Sequence, residues 1–257
     1  MNRTPPVEVL KELREEVGFG CPVLGCGNPY LYWHHFDPPW RERHHHDPAG
    51  MIALCGEHHP KADAGAFTKE QLRELKIRGR ERAGEVKGRF EWMRRDLLAV
   101  VGGCMYLRVP VILQVKGEPA IWFNRDPEGY MLLNFRMLTT SGQPRVRIED
   151  NFWMPRGEPD ELESPPNGRK LRIGYSNGDS LSVEFFDLLS ADALFARYVR
   201  ANRNVGSKIQ FPVTAVDVSF SVGGTEISFS PERTVLPAFN QIVGGFFADG
   251  NVGIALG

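Results

Sequence analysis

The sequence predicts an α+β protein in two parts: a small metal-stapled domain over residues 1–100, then a mainly antiparallel β domain over residues 101–257. Three observations predict it. Cys21, Cys26 and Cys55 share the first sixty residues with all seven histidines, from His34 to His59. Apolar residues at helical spacing are concentrated in the first hundred positions. Beyond Gly102-Gly103, short strand-like runs alternate with turn signals.

In the first part, Val7, Leu10, Leu13 and Val17 recur at helical spacing with charges between them, which predicts an amphipathic helix over 7–17. Gly18, Gly20, Gly25 and Gly27 surround Cys21 and Cys26 and supply the open backbone a tight metal knuckle needs. Leu31 to Phe36 reads as a strand. The DPPW run forces a turn before the cluster His44 to His46. Met51 to Leu54 is a short apolar run, and a helix is expected to begin beside Cys55. Thr68, with Glu70 and Gln71 after it, marks the start of another helix toward Lys76. The stretch from Arg73 to Arg95 reads as helical, with a break expected because Gly79, Gly84 and Gly88 each cost about 1 kcal/mol relative to alanine.

In the second part, strands are expected at 105–115, 119–124, 131–139, 145–149, 171–175 and 180–186, and a helix at 192–200. Lys116-Gly117, Asp126 to Gly129, Ser141-Gly142, Asn177 to Asp179 and Gly223-Gly224 are spacers suited to antiparallel connections. From Val213 to Leu256 apolar and small polar residues alternate among glycines, which suits a flat sheet, a sandwich or a few solenoid coils. Asp150 to Trp153 reads as turn chemistry and aromatic packing.

Composition narrows the function classes. Apolar content of 42% and charged content of 25% are those of a folded domain. No apolar run approaches the roughly 18 residues a spanning helix needs, and the first residues lack the apolar core of a signal peptide. A cytoplasmic location and no membrane partner are the expectation. In that reducing setting the cysteines are metal ligands or buried thiols rather than disulfides. A net charge of -1 gives no global field for nucleic acid, so any basic footprint is local.

Cys21-x4-Cys26 and Cys55-x2-His58 supply four ligands in two close pairs, the arrangement that closes a tetrahedron around Zn²⁺. With four protein ligands no position stays open, so this zinc is structural. His59 and Asp63 lie four apart on the helix expected after Cys55 and therefore share a face. His34 or His35 can complete a second site from the strand. Adjacent strand residues point to opposite faces, so one of them is expected at the ion and the other free to act as a base.

The text YWHHFDPPW followed by HHHDPAGMIALCGEHHPKADAGAFTKEQLRELK resembles the HNH endonuclease family over about the first third of the chain. The resemblance implies a ββα-metal fold with a zinc knuckle, and hydrolysis of nucleic-acid phosphodiesters, with double-stranded DNA the first expectation. It implies His35 as general base, with His34, His59 and Asp63 holding one catalytic divalent ion. Asp47 stands nearest to the Asn the family carries between its histidines; it can accept a hydrogen bond but cannot donate one. A carboxylate at Asp63 favours Mg²⁺ or Mn²⁺ there.

Arg41, Arg43, Arg73, Lys76 and Arg80 are the candidate phosphate contacts, although interleaved glutamates also suit a solvated helix face. Trp33, Trp40 and Trp92 are expected to pack rather than stack on bases. The second part carries no histidine, and its one cysteine, Cys104, stands apart. It is expected to sense, dock or form a homo-oligomer, by analogy with bacterial anti-phage effectors that fuse a nuclease to a β-rich domain. The alternatives are a catalytically inactive zinc module that binds nucleic acid, and a protein-interaction scaffold.

Overall fold

The computed structural model of the chain describes residues 2–82, 84–199, 201, 203–237 and 240–257. The architecture is mixed α+β, with mostly antiparallel sheets and few helices. Residues 1–88 together with 160–168 form one compact unit, and residues 89–159 with 169–257 form the other. The first unit thus ends before residue 100 and recruits a distant nine-residue segment.

In the first unit, helix α1 (Val7–Glu16) buries Leu13, with Val9 packed one turn before it and Val17 fully buried just past the helix end. The buried stripe therefore runs at spacing four through Val9, while Val7 is 72% exposed. Arg14 on this helix is buried with its guanidinium over the Trp33 ring. Burial lowers its pKa, and the charges of Glu163 and Glu161 oppose that shift, which ties the segment 160–168 to the helix.

Strands β1 (Leu31–His35) and β2 (Met51–Cys55) pair antiparallel, with Leu31 opposite Cys55 and His35 opposite Met51. Every residue of β2 is buried, as its unbroken apolar run requires. Helix α2 (His58–Asp63) follows β2 after a two-residue turn. Helix α3 (Lys69–Arg82) starts with a reciprocal cap: Gln71 N–H donates to Thr68 Oγ1 at 3.2 Å, and Thr68 N–H donates to Gln71 Oε1 at 2.8 Å. The helical reading of 73–95 holds only to Arg82; from Gly84 to Lys87 the chain is irregular. Gly79 tolerates its helical position because Pro22 crowds it: a Cβ there would lie 2.2 Å from Pro22 Cβ.

In the second unit, strands 180–188 and 213–221 pair antiparallel along nine residues, from Ser180 opposite Ser221 to Leu188 opposite Val213. Strand 170–174 flanks the first of them, and strand 98–101 runs parallel to the second. Strand 98–101 turns at Gly102-Gly103 into strand 104–107. The expected strand 105–115 is therefore two strands, 104–107 and 111–115, separated by Arg108 to Pro110. A second sheet runs antiparallel through 111–115, 118–125, 131–136, 147–149 and 152–154, with 252–256 parallel to its first strand. The strand expected to reach Thr139 stops at Arg136. Helix α4 (Ala191–Arg197) closes one face; Arg200, where its end was expected, lies outside the described residues. No described helix is long and apolar enough to cross a membrane.

Candidate metal centres and their cleft

Cys21 and Cys26 sit in a knuckle closed by Cys21 N–H to Asn28 O and Gly27 N–H to Cys21 O. Gly27 has a positive φ of 63°, and a Cβ there would lie 2.3 Å from the Gly84 carbonyl oxygen, so only glycine fits. Cys55 arrives from the end of β2 and His58 from the first turn of α2. The four ligand atoms lie within 4.8 Å of one another. Cys26 Sγ and Cys55 Sγ are 3.8 Å apart, and His58 Nδ1 lies 3.2 Å from Cys55 Sγ and 3.4 Å from Cys21 Sγ. A tetrahedral zinc with ordinary bond lengths has S···S edges of about 3.8 Å and S···N edges of about 3.6 Å. The cluster can hold a metal ion with little rearrangement. Its chemistry points the same way: burial raises the Cys21 and Cys26 thiols and lowers the His58 imidazole. Buried thiols kept protonated by burial bind a cation only by releasing protons.

Residues 58 and 59 are neighbours on a helix and so point about 100° apart. His58 turns to the sulfur cluster while His59 turns to a second one, with His34 and Asp63. His34 Nδ1 lies 3.0 Å from Asp63 Oδ1, and His59 Nδ1 lies 3.3 Å from Asp63 Oδ2. The three side chains are close enough together that they could hold one metal ion. His59 Nε2–H donates to the Trp33 carbonyl oxygen at 3.4 Å. A ring proton on Nε2 leaves Nδ1 as a lone pair facing the Asp63 carboxylate, which suits a metal ion between them, whereas a ring proton on Nδ1 donates to that carboxylate directly. Burial lowers the pKa of His34, outweighing the opposing effect of Asp63, which favours the neutral, ligating imidazole.

His35 ends β1 and, like His34, lines an open cleft of about 450 Å³. His35 is 6% exposed; burial first and the neighbouring His45 second hold its pKa down at about 4. It donates Nε2–H to the carbonyl oxygen of His45 at 3.1 Å, and its Nδ1 has no hydrogen-bond partner. Trp40 covers it at a ring separation of 4.7 Å and stacks on His44 and His46 at 4.6 and 5.4 Å. Trp40 is therefore a cleft residue as well as a packing one.

Asp47 does not line the cleft. Its exposed carboxylate caps the short turn Pro48–Gly50 by accepting from Ala49 N–H at 3.1 Å. The orienting contact expected of it is made by its backbone instead, which donates to His45 Nδ1 at 3.2 Å. His45 Nε2–H in turn donates to the Pro38 carbonyl at 2.9 Å. A buried histidine bonded at both nitrogens braces the loop, a role no spacing in the sequence announces.

Of the five expected phosphate contacts, Arg41 lines the cleft and Arg43 is exposed beside it in sequence. Arg73 is paired to Asp37, which also accepts from Lys69 at 2.8 Å, with Lys69 the chief cause of the lowered Asp37 pKa. Arg80 is exposed, its stem packed over Gly18. Lys76 is 11% exposed and donates to Glu16 Oε2 and to the carbonyls of Pro48 and Met51, so it is a structural staple rather than a surface cation. Arg3 also lines the cleft and was not foreseen, since a lone arginine before Pro5-Pro6 carries no periodic signal. Comparison with protein-family models, with curated proteins and with solved structures finds no match.

Proposed function

We propose that the first unit is a ββα-metal endonuclease module of HNH type, stapled by a structural Zn²⁺ on Cys21, Cys26, Cys55 and His58. Its cleft hydrolyses nucleic-acid phosphodiesters with one divalent ion on His34, His59 and Asp63. The observation that carries the reading is the clustering of His34, His59 and Asp63, with His59 Nδ1 3.3 Å from the Asp63 carboxylate, in a cleft that His35 also lines.

A divalent cation there supplies charge neutralisation at the phosphoryl and leaving oxygens. His35 is kept neutral by burial, with its Nε2–H anchored on the His45 carbonyl and its Nδ1 buried and unpartnered, so it acts as base once a water from the cleft reaches that nitrogen. That carbonyl also stabilises the imidazolium formed when Nδ1 takes the proton. The negative charge of a phosphodiester raises the basicity of His35 as it docks, moving it toward the operating pH. Arg41 and Arg3 line the same cleft and are suited to hold the phosphate backbone. Two imidazoles and one carboxylate make a borderline ligand set that suits Mn²⁺ better than Mg²⁺.

Plasmid cleavage by the full chain tests the reading. Nicking that depends on added Mn²⁺ or Mg²⁺ and disappears in His35→Ala and in His59→Ala, at unchanged zinc content, is the expected result. Salt-sensitive DNA binding without cleavage would instead assign a catalytically inactive nucleic-acid module, and neither activity a scaffold.

A further inference from the structure

At one end of the larger sheet of the second unit, four adjacent strands finish together. Leu188 lies opposite Val213, Ala215 beside Leu98, and Leu98 opposite Leu107. The residues just beyond these positions open a cavity of about 890 Å³, within the range of small-molecule sites. Its lining holds Arg94, Arg95, Arg108 and Lys208 against two carboxylates, Asp96 and Asp187. Arg108 is already paired with Asp249 at 2.5 and 2.8 Å. The other three cations have no carboxylate partner among the described residues. Arg94 donates to Thr214 Oγ1 at 2.9 Å and to the Met93 carbonyl and lies 5.2 Å from the Trp92 ring centre, Arg95 donates to the Glu128 carbonyl and lies 5.1 Å from the Tyr130 ring centre, and the Lys208 ammonium sits 5.7 Å from the Phe246 ring centre. The Thr214 hydroxyl donates to Asp187 Oδ1 at 2.6 Å, which leaves its oxygen as the acceptor for Arg94. Phe211 and Leu189 add an apolar wall, and Leu189 is 74% exposed.

Three cations without carboxylate partners that line one cavity are suited to a multiply charged anion, and the apolar wall is suited to an organic body. We propose that this cavity binds a phosphorylated small molecule of nucleotide size. Its phosphates meet Arg94, Arg95 and Lys208, and its planar or apolar part rests on Phe211 and Leu189. The site lies wholly in the second unit, so it is independent of the nuclease reading.

Isothermal titration of the full chain with the four ribonucleoside triphosphates, the matching nucleosides and inorganic tripolyphosphate tests it. At least one triphosphate is expected to bind tenfold or more tightly than its nucleoside and than tripolyphosphate. Arg95→Glu with Lys208→Glu, both at exposed positions, is expected to weaken that binding at least tenfold. Should that pair melt early, Arg95→Gln with Lys208→Gln replaces it. His59→Ala with Asp63→Asn is expected to leave binding unchanged, which separates this site from the first unit's cleft. No triphosphate binding, equal binding of nucleoside or tripolyphosphate, no effect of the Arg95 and Lys208 changes, or loss on changing His59 and Asp63 would each overturn the proposal.

Discussion

His35 hands its Nε2–H to the carbonyl oxygen of His45 at 3.1 Å, and the His45 ring, bonded to Pro38 and to the backbone of Asp47, holds that carbonyl still. The loop has little room to adjust. A Cβ at Gly50 would meet the Asp37 carbonyl at 2.0 Å and the His45 ring at 3.0 Å.

His45 is therefore a positioning residue for His35. His45→Ala is expected to lower kcat of plasmid cleavage about 10- to 100-fold with little change in KM, as removal of an orienting partner does. His45→Asn, which can still donate to Pro38, is expected to recover part of the loss. Equal falls in kcat for both variants, together with loss of the folded state, would make His45 a packing residue only.

The sulfur cluster borders a small core whose main apolar members are Leu13, Leu31, Ile52, Leu54 and Leu72, and the proposed zinc would staple it. One zinc per chain is expected by elemental analysis. Cys26→Ser is expected to lose it and to lower the melting temperature of the first unit by ten degrees or more. Zinc binding releases thiol protons, so affinity falls as pH drops. Metal-free protein with an unchanged melting curve would refute the staple.

Lys76 and Arg41 make a contrasting pair. Lys76→Met strands the Glu16 carboxylate and two carbonyls and is expected to cost about 2 kcal/mol of stability with KM for DNA unchanged. Arg41→Ala is expected to leave stability unchanged, raise KM and reduce the salt dependence of binding by about one counterion. Denaturant titration and binding at several salt concentrations separate the two.

Asp179 in the second unit is fully buried and accepts from Arg145 Nε at 2.7 Å. Burial pushes its pKa up, but bonds from Asn177, Arg145, the Gly223 N–H and Thr139 outweigh burial and leave the pKa lowered. The unfolded carboxyl then holds more protons than the folded one below about pH 4–5, so the stability it contributes is present above the unfolded value near 3.9. It is lost as pH falls through the lower folded value. Asp179→Asn is expected to flatten this acid limb and to cost about 3–5 kcal/mol at neutral pH, because Arg145 stays buried. Urea unfolding at pH 7, 4 and 3 measures both.

The parts legible in the sequence are the local ones. Cys55-x2-His58 and His59-x3-Asp63 fix their own geometry through one strand end and one helix, so their clustering follows from spacing. The cap at Thr68 was visible for the same reason. What spacing hides is set by distant partners. Lys76 looks like any surface lysine until Glu16, sixty residues earlier, meets it. His45 looks solvated in a histidine run, and nothing about 160–168 marks it as belonging with Arg14. The break expected in the 73–95 helix falls just before Gly84, which is needed where its Cβ would strike the Gly25 carbonyl at 2.6 Å, and the helix does not resume beyond it.

The sharpest test is anomalous diffraction from crystals grown with zinc and soaked in Mn²⁺, with data at both absorption edges. The account predicts a zinc peak among Cys21, Cys26, Cys55 and His58, and a separate manganese peak bounded by His34, His59 and Asp63. No manganese signal among these three side chains at saturating Mn²⁺ would contradict it.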